Sequence, residues 1–100
     1  MLNLVNKSPF ERLAMESCLR VAPKGSAIVF LEDGVYAVTK GTAAAEKIKA
    51  AAEGSAIYVL GPDLDARGVD RERVMDGVTE IDYGGFVDLV VEHGTPQSWL

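Results

Sequence analysis

Cys18, the one cysteine in the chain, is the residue best suited to covalent chemistry. Its thiolate could act as a nucleophile or carry a sulfur atom as a persulfide. It lies in "MESCLRVAP", the second half of a predicted helix, where the helix dipole disfavours negative charge. Arg20 and Lys24 would offset that effect, although Glu16 is also an ion-pair partner for Arg20. The alternative interpretation of Cys18 is a small buried hydrophobic residue.

Other residues able to do chemistry lie where predicted strands end. The carboxyl ends of the strands form the usual ligand-binding rim of an open α/β sheet. Five oxygen-bearing side chains would lie on this rim: Ser8, Glu32, Asp33, Asp63 and Asp82. Such a set could bind a hard cation. The alternative, favoured by the strong preference of N-caps for Asp, is that the three aspartates cap the helices or turns that follow the strands.

No cofactor site emerges from the remaining residues. The only histidine, His93, precedes Gly94, where a histidine usually complements the C-terminal end of a helix rather than acting as a catalytic base. One histidine and one cysteine cannot form a structural zinc site alone. No glycine-rich phosphate-binding loop follows a predicted strand. We therefore expect neither a metal nor an organic cofactor.

The elements that must position these residues alternate between strands and helices. Unbroken apolar runs, typical of strands buried on both faces, occur at 27–31 and 56–60. The segments "LNLV" and "VTEI" indicate two further strands, and helix-length segments lie between the strands. This alternation predicts an α/β fold with a mostly parallel sheet, in a single domain of residues 1–100.

Helix boundaries are marked most clearly in the first helix. Ser8 is expected as its N-cap, Pro9 at its first position and Glu11 in a capping box. Pro23 ends it. A second helix is expected over 42–53.

The first helix has two apolar stripes at helical spacing. We expect one to face the sheet: Phe10, Leu13, Ala14, Ser17 and Val21. We expect the other to face outward, towards a partner protein: Met15, Cys18, Leu19 and Ala22.

The later segment "FVDLVVEHG" fits two structures. A helix would share one face among Phe86, Leu89, Val90 and His93. A strand would alternate Val87, Leu89 and Val91. Periodicity leaves both interpretations open.

Charge and composition exclude several classes of function. Ten basic and fifteen acidic residues give a net charge of −5, which disfavours direct binding to nucleic acid. No apolar run approaches the roughly 18 residues of a membrane span. A single cysteine cannot form an internal disulfide, so we expect a reduced cytoplasmic protein.

Five stretches, in order along the chain, carry a resemblance to a known family: "LVNKSPFERLAMESCLR", "FLEDGVYAV", "YVLGPDLDARG", "IDYGGFVDLVVEH" and "QSWL". Together they resemble the DsrH/TusB family, and most of all DsrH of sulfur-oxidising bacteria. The resemblance implies a DsrE-like three-layer α/β fold with helices on both faces of the sheet, and a helix after Tyr83. It also implies a heterohexamer with two copies each of DsrE-type, DsrF-type and DsrH-type subunits.

The function implied by this resemblance is a cytoplasmic sulfur relay that passes persulfide sulfur to a DsrC-type acceptor in sulfur oxidation. Cys18 matches the cysteine of the family's "ESCL" position and is the candidate catalytic residue, although the principal carrier of such complexes is on the DsrE-type subunit. One alternative is a TusB-type subunit, acting with TusC, TusD and TusE in tRNA 2-thiouridine synthesis. Another is a non-catalytic subunit that shapes the acceptor's docking surface. Asn3 departs from the family, whose members often have histidine there.

Overall fold

The computed structural model describes residues 1–10 and 14–99, which form a β-sheet with helices packed against it. The strands of this part of the chain are β1 (Leu2–Val5), β2 (Ala27–Phe30), β3 (Ala56–Leu60), β4 (Val78–Ile81) and β5 (Gln97–Trp99). Its α-helices are α1 (Ala14–Val21), α2 (Ala43–Ala51), α3 (Gly61–Ala66) and α4 (Tyr83–His93). Two 3-10 helices, at Glu32–Val38 and Arg71–Arg73, lie in connections. None of the helices in these ranges is long and apolar enough to cross a membrane.

All neighbouring strands are parallel, in the order β4-β3-β2-β1-β5. The first three crossovers step in one direction along the sheet, and the last returns from β4 to the far side of β1. Because such crossovers are right-handed, α1, α2 and α3 belong on one face and α4 on the other. The predicted α/β class, with a mostly parallel sheet and helices on both faces, is confirmed. The ambiguous segment is helical.

Each face of the sheet has its own apolar core. The larger core packs the face covered by α1, α2 and α3, and its members include Cys18, Ile28, Phe30, Ile48 and Val59. The smaller core packs the face covered by α4: Leu2, Ala27, Val29 and Leu89, with half-buried Phe86 and Val90 beside them. Strand β2 is buried on both sides, as its unbroken apolar run predicts.

Local signals account for several element boundaries. Thr42 is the N-cap of α2 and its hydroxyl accepts a hydrogen bond from the Ala45 amide at 3.3 Å. In the 3-10 helix after β2, Gly34 lies against the backbone carbonyl of Val5. A side chain at that position would collide with β1. The chain therefore approaches the end of β1 closely as it leaves β2.

Candidate functional site

Helix α1 turns Cys18 into the larger core, which reverses the predicted orientation of the helix. Met15 and Cys18 are buried, and Leu19 and Ala22 are half-buried against the same cluster. Phe10 and Val21, which were expected to face the sheet, are 62% and 59% exposed. The expectation that the Cys18 stripe faces outward is therefore wrong. Ser17, a third member of the stripe expected to face the sheet, is half-buried, and Leu13 and the side chain of Ala14 lie outside the described part of the chain.

The charged residues of α1 explain this orientation. At ~100° per residue, Cys18 lies opposite the midpoint between Glu16 and Arg20 on the helix. Keeping both charges in water therefore points Cys18 into the core. Glu16 pairs with Lys47 of α2 rather than with Arg20, and this ion pair ties the outer sides of the two helices together.

Burial also sets the chemistry of the Cys18 thiol. The side chain is fully buried, and desolvation raises its pKa to about 12. Arg20 and Lys24 are exposed, and the shift in the pKa of Cys18 comes from desolvation rather than from these basic residues. At neutral pH the sulfur is therefore protonated, whereas sulfur transfer requires a thiolate.

His93 lies on the other side of the sheet from Cys18. It is half-buried in the last turn of α4, and Gly94 caps that helix with a φ of 81°. Cys18 belongs to the core beneath α1, whereas α4 packs on the opposite core. The sheet separates the two residues, so they cannot form a nucleophile and base pair. The position of His93 agrees with the interpretation that it complements a helix C-terminus.

Two acidic residues of the carboxyl rim, Asp33 and Asp63, make contacts between the segments that follow β2 and β3. Asp63 of α3 accepts a hydrogen bond from the Glu32 amide at 2.6 Å, and holds Glu32 at a φ of 50°. Asp33 pairs with Arg67 at 2.8 Å. These contacts link the connections after β2 and β3. Across residues 1–10 and 14–99, no group of three or more His, Cys, Asp and Glu side chains could hold a metal ion.

Of the two other rim residues, Asp82 caps a helix and Ser8 makes a local hydrogen bond. Asp82 is the N-cap of α4 and accepts a hydrogen bond from the Gly85 amide at 2.8 Å. The Ser8 hydroxyl accepts one from the Phe10 amide at 3.3 Å, and the described part of α1 begins at Ala14. Glu11, the other member of the predicted capping box, lies outside the described residues. Capping thus holds for Asp82 among the three aspartates, whereas Asp33 and Asp63 join loops.

Two surface clefts flank α1, one at each end of its contact with α2. The cleft at the amino ends of the strands has a volume of about 450 Å³, and its lining includes Leu19, Ala22, Lys24, Ala51 and Glu53. The cleft at the carboxyl ends is about 120 Å³, and its lining includes Phe10, Met15 and Ala44. Leu19 and Ala22, on the same side of α1 as Cys18, are therefore half-exposed at the first cleft, whereas Met15 at the second is buried.

Asn3 and Trp99 form a buried polar contact that no local sequence pattern could predict. The Asn3 side chain is fully buried in β1, and its Oδ1 accepts a hydrogen bond from the Trp99 indole at 3.1 Å. Its Nδ2 is buried without a hydrogen-bond partner. The contact fastens β5 to β1, where the order of the strands along the sheet reverses.

Sequence reasoning also missed an exposed apolar surface on α4. Tyr83, Val87 and Val91 recur every four residues along this helix and are all exposed; we call them the α4 stripe. The signal was present in the ambiguous segment. Val87 and Val91 fitted a strand because they are apolar residues outside the sheet-facing side of the helix.

Comparison of the sequence with known proteins places the chain in one family. The family model described as "DsrH like protein" matches residues 7–95. Protein TusB of Pectobacterium parmentieri is 37% identical over 99 residues, which cover 99% of this chain and 100% of that protein. Protein TusB of Escherichia coli O81 is 32% identical over the same shares of the two chains.

Solved structures share the fold at lower sequence identity. The crystal structure of the YchN protein of Escherichia coli superposes with a TM-score of 0.78, covering 98% of this chain and 97% of that one at 15% identity. A protein of unknown function from Methanobacterium thermoautotrophicum gives a TM-score of 0.75, with 97% and 95% covered and also 15% identity.

Proposed function

The chain belongs to the DsrH-like family, and from that premise we propose that it is a structural subunit of a sulfur relay complex. In this role it assembles with a DsrE-type and a DsrF-type subunit and helps to form the docking surface of the sulfur acceptor. The sulfur itself is carried by a cysteine of the DsrE-type partner.

The observation that supports a structural role is the burial of Cys18. A relay cysteine receives sulfur when its thiolate attacks the outer sulfur of the donor persulfide. It passes the sulfur on when the acceptor's thiolate attacks the outer sulfur of the relay persulfide, so both donor and acceptor must reach it. The Cys18 side chain points from α1 into the core above the sheet, and desolvation raises its pKa to about 12. Its surroundings are aliphatic and aromatic side chains, which stabilise the neutral thiol.

Cys18 as a sulfur carrier is the second candidate function. Its match to the family's "ESCL" position favours this role, and the clefts at both ends of α1 give solvent a short path to the helix. The role requires α1 to move away from the sheet, so that the sulfur leaves the core. Such a movement must separate Glu16 from Lys47, the ion pair that links α1 to α2.

Intact-mass analysis of the assembled complex distinguishes the two functions. The wild-type chain and Cys18→Ala are each combined with the two partner subunits, loaded with a persulfide donor and then mixed with the acceptor. We expect no sulfur gain on this chain, and equal transfer to the acceptor for both forms. A gain of one sulfur atom that is absent from Cys18→Ala and is discharged by the acceptor would instead make Cys18 a carrier.

The identity of the acceptor is a separate question, because the two branches of the family serve different pathways. The TusB-named relatives support a role in tRNA 2-thiouridine synthesis with a TusE-type acceptor, whereas the resemblance to DsrH supports sulfur oxidation with a DsrC-type acceptor. Expression in an Escherichia coli strain lacking TusB tests the first branch through the 2-thiouridine content of its tRNA. Recovery together with TusC-type and TusD-type partners assigns the chain to that branch.

A further inference from the structure

The charges of this chain are divided unevenly along its length. Residues 1–73 contain all ten Lys and Arg residues and ten of the Asp and Glu residues, so their formal charge is zero. Residues 74–100 contain the other five acidic residues and no Lys or Arg. The whole net charge of −5 therefore belongs to the segment that forms β4, α4 and β5.

Helix α4 bears two of these five acidic residues beside exposed apolar area. Tyr83, Val87 and Val91, the α4 stripe, are 60%, 57% and 80% exposed. On the helix they lie between the sheet-facing side and the side that bears Asp88 and Glu92. Both acidic side chains belong to exposed residues, and neither takes part in an ion pair among the described residues.

We propose that the α4 stripe docks into an apolar groove bordered by Lys and Arg on a different subunit of the relay complex. The inference rests on the proposed function and specifies one contact surface within it. Burying the stripe removes apolar area from water, and Asp88 and Glu92 at its border select a basic rim and speed association. An interface with an apolar centre and a charged border is the usual arrangement in protein complexes.

A second copy of this chain does not fit the same surface. An antiparallel pairing of α4 with α4 would bring Asp88 and Glu92 of one copy next to those of the other, and a parallel pairing would offer them no Lys or Arg of the segment. Like charges at such an interface are repulsive, and the segment has no Lys or Arg that could relieve the repulsion. The chain alone is therefore expected to be monomeric in sedimentation at neutral pH.

The test compares two valines of nearly equal exposure on opposite faces of the molecule. Val87 is 57% exposed on α4 and Val21 is 59% exposed on α1. The dissociation constant for the purified DsrE-type and DsrF-type pair is measured by calorimetry for the wild type, Val87→Asp and Val21→Asp, after circular dichroism has verified that each is folded. We expect Val87→Asp to weaken binding at least about tenfold and Val21→Asp less than about twofold.

A second comparison tests the charge of the groove. Reversing Asp88 and Glu92 together to Lys should weaken binding by about tenfold and abolish the loss of affinity that salt causes in the wild type. The single reversals Asp88→Lys and Asp76→Lys change the charge equally; Asp76 is an exposed acidic residue of the same segment outside α4, and its reversal should change affinity less than about twofold.

The outcomes separate this inference from the proposed function. Binding of the pair by the wild type, with no loss in Val87→Asp, would overturn the α4 surface and leave the function intact. Failure of the wild type to bind the pair would overturn both. Self-association of the chain that Val87→Asp abolishes would make a second copy the occupant and would overturn the heterotypic contact.

Discussion

Helices α1 and α4 pack on opposite faces of one sheet, and they use their apolar residues differently. Helix α1 places its chemically reactive residue, Cys18, wholly inside the core and leaves Val21 exposed in its last turn. In helix α4 only Leu89 is buried, and the three residues of the α4 stripe, spaced four positions apart, are exposed. The thiol thus lies in a tightly packed core, whereas the exposed apolar residues lie on the outer surface of α4. For a subunit, this arrangement favours contact over chemistry.

The largest predicted difference between α1 and α4 is in the free energy of unfolding when an aspartate is placed in each helix. Cys18→Asp buries a carboxylate without a partner and should lower the free energy of unfolding by about 3–5 kcal/mol. Val87→Asp leaves its carboxylate in water and should change it by less than about 0.5 kcal/mol. Urea unfolding monitored by circular dichroism measures both. A loss below about 1 kcal/mol for Cys18→Asp would mean that water reaches the sulfur.

Alkaline pH provides a milder test of the same buried site. Burial raises the pKa of Cys18 to about 12 in the folded chain, compared with about 8.5 for an exposed thiol. Between those values the unfolded chain releases a proton that the folded chain keeps, so stability is full below about pH 8.5 and falls as pH rises.

The size of this pH effect is measured against Cys18→Ala, which lacks the thiol. Between pH 8.5 and 10.5 the wild type should lose about 2 kcal/mol more stability than the variant, because each unit is equivalent to about 1.4 kcal/mol. Parallel stability curves for the two proteins would contradict a buried thiol. A difference in the opposite direction would require a stabilised thiolate.

The sequence predicts the frame of the molecule better than the contacts within it. The apolar runs of β2 and β3 are local and identify buried strands directly. The orientation of α1 was predicted wrongly because the two apolar stripes were compared with each other, whereas the side of the helix that must stay in water is marked by Glu16 and Arg20. In α4 the extra apolar residues that obscured the helical period are those the fold leaves exposed.

Other features of the candidate site depend on distant parts of the chain. The hydrogen bond between Asn3 and Trp99 joins residues 96 positions apart. The amide of Glu32 meets Asp63 from 31 positions away. A pattern of neighbouring residues contains no information about such contacts, because the order of strands in the sheet brings them together.

The contact between Asn3 and Trp99 predicts an intermediate effect on the α1 face. Trp99→Phe removes the donor to Asn3 and leaves its buried amide wholly unpaired, which should cost about 1–2 kcal/mol of unfolding free energy. Adding Asn3→Leu removes the unpaired amide and should recover most of that loss. Chemical denaturation of the two single variants and the double variant gives the coupling. Strictly additive losses would show that the hydrogen bond contributes nothing.

The smallest predicted loss of stability comes from the N-cap of α4. It tests whether loosening α4 also opens the core around Cys18. Asp82→Ala removes the bond to the Gly85 amide and should cost about 1 kcal/mol, whereas Asp82→Asn retains an acceptor and should cost less. Hydrogen exchange should become faster in α4, while alkylation of Cys18 in the folded protein stays as slow as in the wild type. Because α4 and Cys18 pack into different cores, loosening one helix need not open the other. Faster alkylation of Cys18 in Asp82→Ala, beyond the change in global stability, would show that the two faces open together, and the cores beneath α1 and α4 would then not be independent.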